Sequence, residues 1–490
     1  MRRWLFGDQL GPHFLDEPQQ TVLMVESRGV FERRAFHRQK AHLTLSAMRH
    51  RAAELGDRVL YLKTRTYREA LRLAGEPVDV CAPTTLRARR LVDALDDVTV
   101  LPPRGYVTSH EDFVSWADAR RGTLRMEDYY RHARHRHDVL MEPDGSPAGG
   151  KWNLDADNRN PPPRGVTRLN VPPPPEIVED EIDAEVRADL DRWAAEGVEF
   201  TGVDGPRLFP ATRAEALARL RHFVTDRLPL FGPYEDAMLS GDPFMAHSLL
   251  SSSFNLGLLD PVEAIDLAEQ AYRVDAVPLA GAEGFIRQLI GWRDYVWHLY
   301  WYFDAGYRSV NELHARNRLP DWFANLDADA VDARCLSDVL SGVRDRGYVH
   351  HIPRLMVLGN YALQRGWRPA AMVDWFHRNF VDGFEWVMVA NVVGMSQYAD
   401  LGKITTKPYA AGGNYINRMS DYCSGCRYDP RTRLGENACP FTAGYWTFLH
   451  RTRERLSGNV RMMRSLQQLE SIHDLDQIIA QEQDRGSRAP

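Results

Sequence analysis

The chain has 490 residues, 44% hydrophobic and 26% charged, with 61 Lys+Arg against 67 Asp+Glu and a formal net charge of −6. That length calls for two or three domains, and the acidic balance excludes a uniformly basic nucleic-acid binder while leaving room for a local cationic groove. No apolar run approaches the roughly 18 residues of a membrane span, the start MRRWLFGDQLGPHF turns polar too soon for a secretion signal, and five cysteines do not make a disulfide framework, so a cytoplasmic protein is expected.

In chain order, Trp4-Leu5-Phe6 and Thr21–Ser27 read as strands. His42–Leu55 reads as a helix with Leu45, Met48, Ala52 and Leu55 on one face and Gly56 closing it, and a further strand starts at Val59. Strand, helix, strand predicts an α/β domain with a Rossmann-like parallel sheet over residues 1–135. Gly7, Asp8 and Gln9 follow the first strand and Glu26 nears the end of the second, where such sheets bind ligands, although acids there equally serve as turn caps. No GxGxxG is present, so a dinucleotide fingerprint is absent. His132, His135 and His137 have no thiol or carboxylate to complete a metal set and read as part of a basic helix face.

Residues 136–205, with EPDGSPAGGKWNLDADNRNPPPRG and NVPPPPE, lack periodicity and read as an interdomain linker. Residues 206–490 read as an all-α domain rich in Trp and Tyr, with Phe285, Leu289, Trp292, Val296 and Tyr300 forming one buried stripe. Within it, Cys423 and Cys426 form a C-x2-C pair, Cys439 precedes Pro440, and Cys335 lies far upstream. Four thiolates in turn-rich sequence can hold zinc or an iron–sulfur cluster; the single pair, where a closed zinc site usually has two, favours [4Fe–4S]. Cys81 reads as a core residue.

Taken in order, WLFGDQL, GGKWNLDADNR, FGPYEDAM, HSLLSSSFNLGLL, EGFIRQLIGWRDYV, HHIPRLM, EWVMVANVVGMSQYAD, TKPYAAGGNYINRMSDYCSGC and ACPFT resemble the photolyase/cryptochrome family. The match is to its prokaryotic iron–sulfur branch of deoxyribodipyrimidine photolyase-related proteins, and it runs from residue 4 to 442. The resemblance implies an α/β antenna domain, a helical FAD-binding domain, and electron transfer from photoexcited reduced flavin to a pyrimidine lesion. It assigns Tyr234, His247, Ser248, Leu249, Ser251, Asn255, Glu283, Arg287, Trp292, Asp382 and Asn391 to the flavin. Four residues separate Arg287 from Trp292 where the wider family usually has three, so a bulge in that helix is expected. Trp375 and Trp386 are candidates for electron transfer, with Trp322 and Trp367 further out, although tryptophans in helical domains are commonly core.

His350 and His351 resemble the family's lesion-side histidines, with the acid role at the second position, where a (6-4) photoproduct needs a proton donor. Tyr409 and Tyr415 would line the same pocket and stack on a flipped base. Arg418, Lys403, Lys407, Arg451, Arg453 and Arg455 are candidates for phosphate contacts with UV-damaged DNA. The branch commonly carries a 6,7-dimethyl-8-ribityllumazine antenna, assigned here to Gly7, Asp8, Gln9 and Glu26. The leading reading is a monomeric (6-4) photolyase. A bacterial cryptochrome without repair, a cyclobutane-dimer photolyase and a zinc-stabilised nucleic-acid binder are the alternatives.

Overall fold

A computed structural model describes all 490 residues, Met1–Pro490. Seven strands occur in chain order: β1 (Arg2–Leu5), β2 (Val22–Ser27), β3 (Phe36–His37), β4 (Val59–Thr64), β5 (Val78–Cys81), β6 (Val98–Leu101) and β7 (Phe200–Thr201). Five of them make one sheet in the order β4-β2-β1-β5-β6, with every neighbouring pair parallel. Such sheets are covered on both faces, so β1 and β2 are buried almost continuously rather than on alternate residues. One face packs Trp4, Phe6, Leu23, Val25, Val78 and Val80 beneath the short helices Tyr67–Ala74 and Leu86–Asp93. The other meets the helix Arg38–Leu55, whose Leu45, Met48 and Leu55 are buried as the sequence predicts. Gly56 ends that helix at a φ of +55°, a region that favours glycine.

That helix also buries Arg38, Gln39, Lys40, His42, Arg49 and His50, because it is enclosed on both sides. Its second cover is the helix Glu181–Ala195, which lies within the stretch expected to be linker. His42 contacts the Asp183 carbonyl at 3.0 Å, His50 lies 3.0 Å from Asp180, and Arg49 reaches Asp189 at 2.5 Å. β7 then pairs with β3, so residues 181–201 return to the α/β domain. The Pro-rich run before them is held against the helical half by arginines: Arg227 donates to the Pro172 carbonyl at 2.7 Å and Arg219 to Pro175 at 3.0 Å. An extended proline-rich backbone cannot satisfy its own carbonyls, which is why these donors come from elsewhere.

The helices His110–Asp118 and Met126–His137 sit with the helical half rather than the sheet. Phe113 and Tyr129 pack against Tyr295 and His298, and Thr108 contacts Asp294 and His298 at 3.0 and 2.7 Å. The helical half is interrupted by π-helical turns at Phe223–Arg227, Arg287–Asp294, Pro353–Gly359 and Asn391–Ser396. The second absorbs the extra residue between Arg287 and Trp292, as the spacing predicts; such turns re-aim side chains and recur at functional sites.

Candidate functional site

Asp382 is the centre of a buried clamp. Arg354 donates to both of its carboxylate oxygens at 2.8 and 3.0 Å, Ser251 Oγ donates at 2.6 Å, and Asn255 Nδ2 donates to its backbone carbonyl at 3.0 Å. A bidentate guanidinium is a strong, direction-fixing partner for a carboxylate, so the loop at 382 is locked to the helix Ser251–Asn255. Arg354 also stacks over Phe380 and Tyr348, with its Cζ 4.2 and 5.1 Å from the ring centroids. Asn391, expected beside Asp382, uses its Nδ2 on the Val387 carbonyl of its own helix at 2.9 Å.

Above the clamp the three histidines meet. The buried rings of His247 and His350 stack at 4.4 Å, and His351 stands edge-on to His247 at 5.3 Å. Burial, then the charge of neighbouring imidazoles, holds His247 and His350 well below the ordinary histidine range, so both are neutral. His351 differs: 46% of its side chain is exposed, and its Nε2 lies 3.8 Å from Asp236. Tyr409 and Tyr415 are half-buried; burial and then Glu127 raise the Tyr409 phenol, and burial and then Asp236 raise Tyr415 to about 12.

The floor continues into a carboxylate–guanidinium network. Arg287 lies 3.2 Å from Asp155, 3.3 Å from Glu283 and 3.7 Å from Glu235. Burial would lower its pKa, but the three carboxylates more than offset that and raise it. Burial pushes Glu235 up to about 7, with Arg287 opposing; Gln288 donates to it at 2.6 Å and Asn158 at 3.3 Å. Arg287 is thus committed to acids. Tyr234 and Ser248 are half-buried, with Ser248 Oγ accepting from the Leu250 amide at 3.4 Å, and Trp292 stands edge-on to Tyr295 at 6.4 Å. Leu249 has φ +57°, uncommon for a side chain of its size and costing on the order of 1 kcal/mol. Arg354, Glu235 and Asp236 were not singled out by sequence reasoning, although HHIPR and FGPYEDAM contain them.

Several buried polar atoms here have no partner: His247 Nε2, His350 Nδ1, and Ser252 and Ser253 Oγ, while Arg287 Nε and Glu283 Oε1 meet as an ion pair without a hydrogen bond. Each such group costs about 1–3 kcal/mol when left unmade, so this set fits completion by a polar ligand such as FAD.

The four cysteines also converge. Cys335, Cys423, Cys426 and Cys439 line one apolar pocket with Tyr422, Tyr428 and Phe441. Burial and the neighbouring thiols raise Cys335 strongly and Cys423 to about 12. A Cβ on Gly413 would lie 2.7 Å from Cys439 Sγ, so glycine keeps the backbone close to the thiols. Only two groups of three ligand atoms lie within 4.8 Å of one another in the molecule, and neither contains a thiol.

Trp375 and Trp386, paired in the sequence reading, belong to different aromatic clusters. Trp375 stacks on Phe323 at 4.5 Å, Phe323 meets Trp367 at 4.6 Å, Tyr361 follows at 5.6 Å and Phe441 at 5.4 Å. Trp322 lies 6.2 Å from Trp367. Trp386 faces Tyr106 at 5.8 Å and the Arg293 guanidinium at 5.1 Å.

The expected antenna residues are engaged within the fold. Glu26 accepts from Arg49 at 2.8 and 3.0 Å and from Tyr61 at 2.7 Å. Gln9 donates to the Cys81 carbonyl at 3.0 Å, Thr84 donates to Asp8, and Gly7 sits beneath Met48. Glu26 and Gln9 would have to give up bonds made within the fold to turn to a lumazine ring. A cavity of about 450 Å³ between the domains is lined instead by Leu86, Arg87, Arg90, Tyr300, Arg308 and Glu385. Of the basic candidates, Arg451 donates to the Leu363 and Gln364 carbonyls, both at 2.8 Å, and so caps a helix, and Arg455 contacts His314. Arg418, Lys403, Lys407 and Arg453 are exposed.

Residues 3–198 match the family of deoxyribodipyrimidine photo-lyase-related proteins. Over 94% of this chain and 93% of the relative, the sequence is 39% identical to a (6-4) photolyase of Agrobacterium fabrum. The crystal structure of a bacterial class III photolyase from Agrobacterium tumefaciens has a TM-score of 0.56 at 14% identity, covering 85% of this chain and 86% of that one. A Synechocystis cryptochrome gives 0.53 at 15% identity, covering 80% and 82%. The chain belongs to the photolyase/cryptochrome family.

Proposed function

We propose that the chain is a photolyase that reverts (6-4) pyrimidine photoproducts in UV-damaged DNA, working as a monomer in the cytoplasm. The observation that carries this reading is His351, a half-exposed imidazole beside Asp236 and against two buried histidines with unpartnered ring nitrogens, in a chain 39% identical to a (6-4) photolyase over 94% of its length. No helix is long and apolar enough to cross a membrane.

FAD, which this family generally binds, would lie against His247–Asn255, Glu283, Arg287, Asp382 and Asn391. Bound and reduced, it supplies on illumination one electron to the lesion and takes it back. The chain's own contribution is positioning. Arg354 and Ser251 keep the Asp382 carboxylate in one orientation, and burial disfavours a charge on His247 and His350. His351, with its Nε2 3.8 Å from Asp236, is the imidazole that would pass a proton to the migrating hydroxyl. Tyr409 and Tyr415 offer stacking faces.

Cys335, Cys423, Cys426 and Cys439 are assigned to a [4Fe–4S] cluster. Four thiolates on one zinc, each at about 2.3 Å, would stand about 3.8 Å apart, closer than these sulfurs approach as a group.

The test is repair of defined lesions by wild type and His351→Asn. The variant should keep flavin and its photoreduction but lose about 100-fold or more in (6-4) repair, the scale of general-acid catalysis. Equal repair by both proteins rejects the proton-donor role. Photoreduction of both without repair of any lesion would replace repair by a photoreceptor function.

A further inference from the structure

Lys40 belongs to the α/β domain, yet its ammonium is buried in the helical half. It donates to the His377 carbonyl at 2.6 Å and to the Gly383 carbonyl at 2.8 Å, between the rings of Phe36 and Phe384 at 5.1 and 5.4 Å. The first acceptor lies in the last turn of the helix Pro369–Asn379, where carbonyls lack intrahelical partners and a cation is favoured. The second belongs to the residue that follows Asp382. Two neighbours on the same short strip cap a different helix end: His37 contacts the Arg344 carbonyl at 3.0 Å and Gln39 donates to Asp345 at 2.5 Å.

The turn that Lys40 holds has little slack. Gly383 donates to the Phe380 carbonyl at 2.9 Å and Phe384 to Asp382 at 3.0 Å, while a Cβ on Gly383 would meet the Phe376 carbonyl at 2.5 Å. Burying an ammonium is expensive, and its pKa is drawn down to about 7 by that burial, with Asp382 opposing the fall. Arg34, His377 and Arg308 are the other charged or titratable groups around it. A methionine would fill the same space without that cost, so the amine has a use there.

We propose that Lys40 is a positioning residue for the flavin site: it pins the Phe380–Phe384 turn from the opposite domain and so fixes where Asp382 presents its carboxylate. Docking of the α/β domain thereby completes the flavin pocket. This rests on the flavin reading above, and the experiment separates the two.

The probes are amide hydrogen exchange over residues 377–385 and FAD affinity of the apoprotein, in full-length wild type, Lys40→Met, Asp382→Asn and the double variant. Gln39→Ala, which removes an interdomain carbonyl contact on the other helix, is the control. In Lys40→Met, exchange over 377–385 should accelerate about 10-fold or more while that over 344–351 stays at the wild-type rate. FAD affinity should fall about 10-fold, and in the Asp382→Asn background the same change should cost less than about 2-fold, the non-additivity expected when one residue acts through another. Gln39→Ala should leave FAD affinity unchanged. If Lys40→Met is insoluble, Lys40→Gln, which keeps one N–H donor, supplies the comparison. Unchanged exchange overturns the proposal, as does an equal loss of affinity with and without the Asp382 carboxylate. A wild type that binds no FAD, with exchange still responding at 377–385, would reject the flavin reading and reduce Lys40 to a structural clamp.

Discussion

Two regions carry ligand-like sequence, the loop ends of the sheet and the residues around Asp382, and their candidate ligand side chains use their polar atoms differently. At the sheet, Glu26 is saturated by Arg49 and Tyr61, Gln9 bridges to Cys81 and Asp8 is bonded to Thr84. Around Asp382, His247, His350, Ser252 and Ser253 each keep a buried polar atom without a partner. Buried polar groups are almost always paired, so a region that leaves several unpaired is one where something else completes them. The same residue types thus build a strut in one place and a receptor in the other, and the sequence pattern alone does not separate them.

The largest effect is expected at the thiol nest, which sharpens the contrast from the receptor side. Cys335→Ser should abolish cluster binding and most soluble protein, because metal-binding free energy is folding free energy in such loops. Iron and acid-labile sulfide should be present in wild type and absent from the variant; stoichiometric zinc without sulfide would sink the assignment. Next in size is the strut. Glu26→Gln leaves Arg49 with Asp189 and Glu185 but without its most buried partner, and breaking a buried pair costs about 3–5 kcal/mol. Thermal melting should show that loss while flavin content per folded molecule stays constant. A loss of a bound near-ultraviolet pigment at unchanged stability would instead make Glu26 a ligand.

Much of the architecture was legible before any coordinates. Parallel strands, the closing Gly56, the helical second half and the bulge after Arg287 all follow from local rules of periodicity, backbone freedom and spacing. The helix Glu181–Ala195 was hidden because proline-rich sequence precedes it and its partner, the helix Arg38–Leu55, is polar on the face that receives it. The attachment of His110–His137 to the helical half depends on Thr108, Tyr129 and His298 meeting across long sequence separation, which no window detects. At the site, Asp382, Ser251 and Asn255 are brought together, whereas Trp386 parts from Trp375. Arg354 and Lys40 were passed over because a single basic residue carries no periodic signal, and their meaning comes from what they reach.

Glu235 offers a pH signature of the receptor region. An ordinary glutamate loses its proton near 4.5, but this buried one keeps it to about 7. Between those values the folded state binds more protons than the unfolded state, so the stabilisation present at low pH is lost as pH rises through that window. The span corresponds to at most about 3 kcal/mol, at about 1.4 kcal/mol per unit. Melting of the apoprotein from pH 4.5 to 7 should show this decline, and Glu235→Gln should flatten it. An identical slope in both proteins would show that Arg287 keeps Glu235 ionised throughout.

The smallest effect separates free from engaged basic groups. Lys407 is exposed, whereas the Arg451 guanidinium holds the Leu363 and Gln364 carbonyls at the end of the helix Asn360–Arg365. If Lys407 meets a DNA phosphate, Lys407→Ala should weaken binding to damaged and undamaged duplexes alike, reduce the salt slope by about 1 and leave melting unchanged. Arg451→Ala should lower stability by about 1 kcal/mol or more, since two carbonyls lose their donor, with no change in the salt slope. Binding isotherms from about 50 to 200 mM salt, paired with melts, resolve the two. A salt-slope change in Arg451→Ala, or a stability loss in Lys407→Ala, would mean that the division between struts and contact groups drawn around Glu26 and Asp382 does not extend to the basic surface.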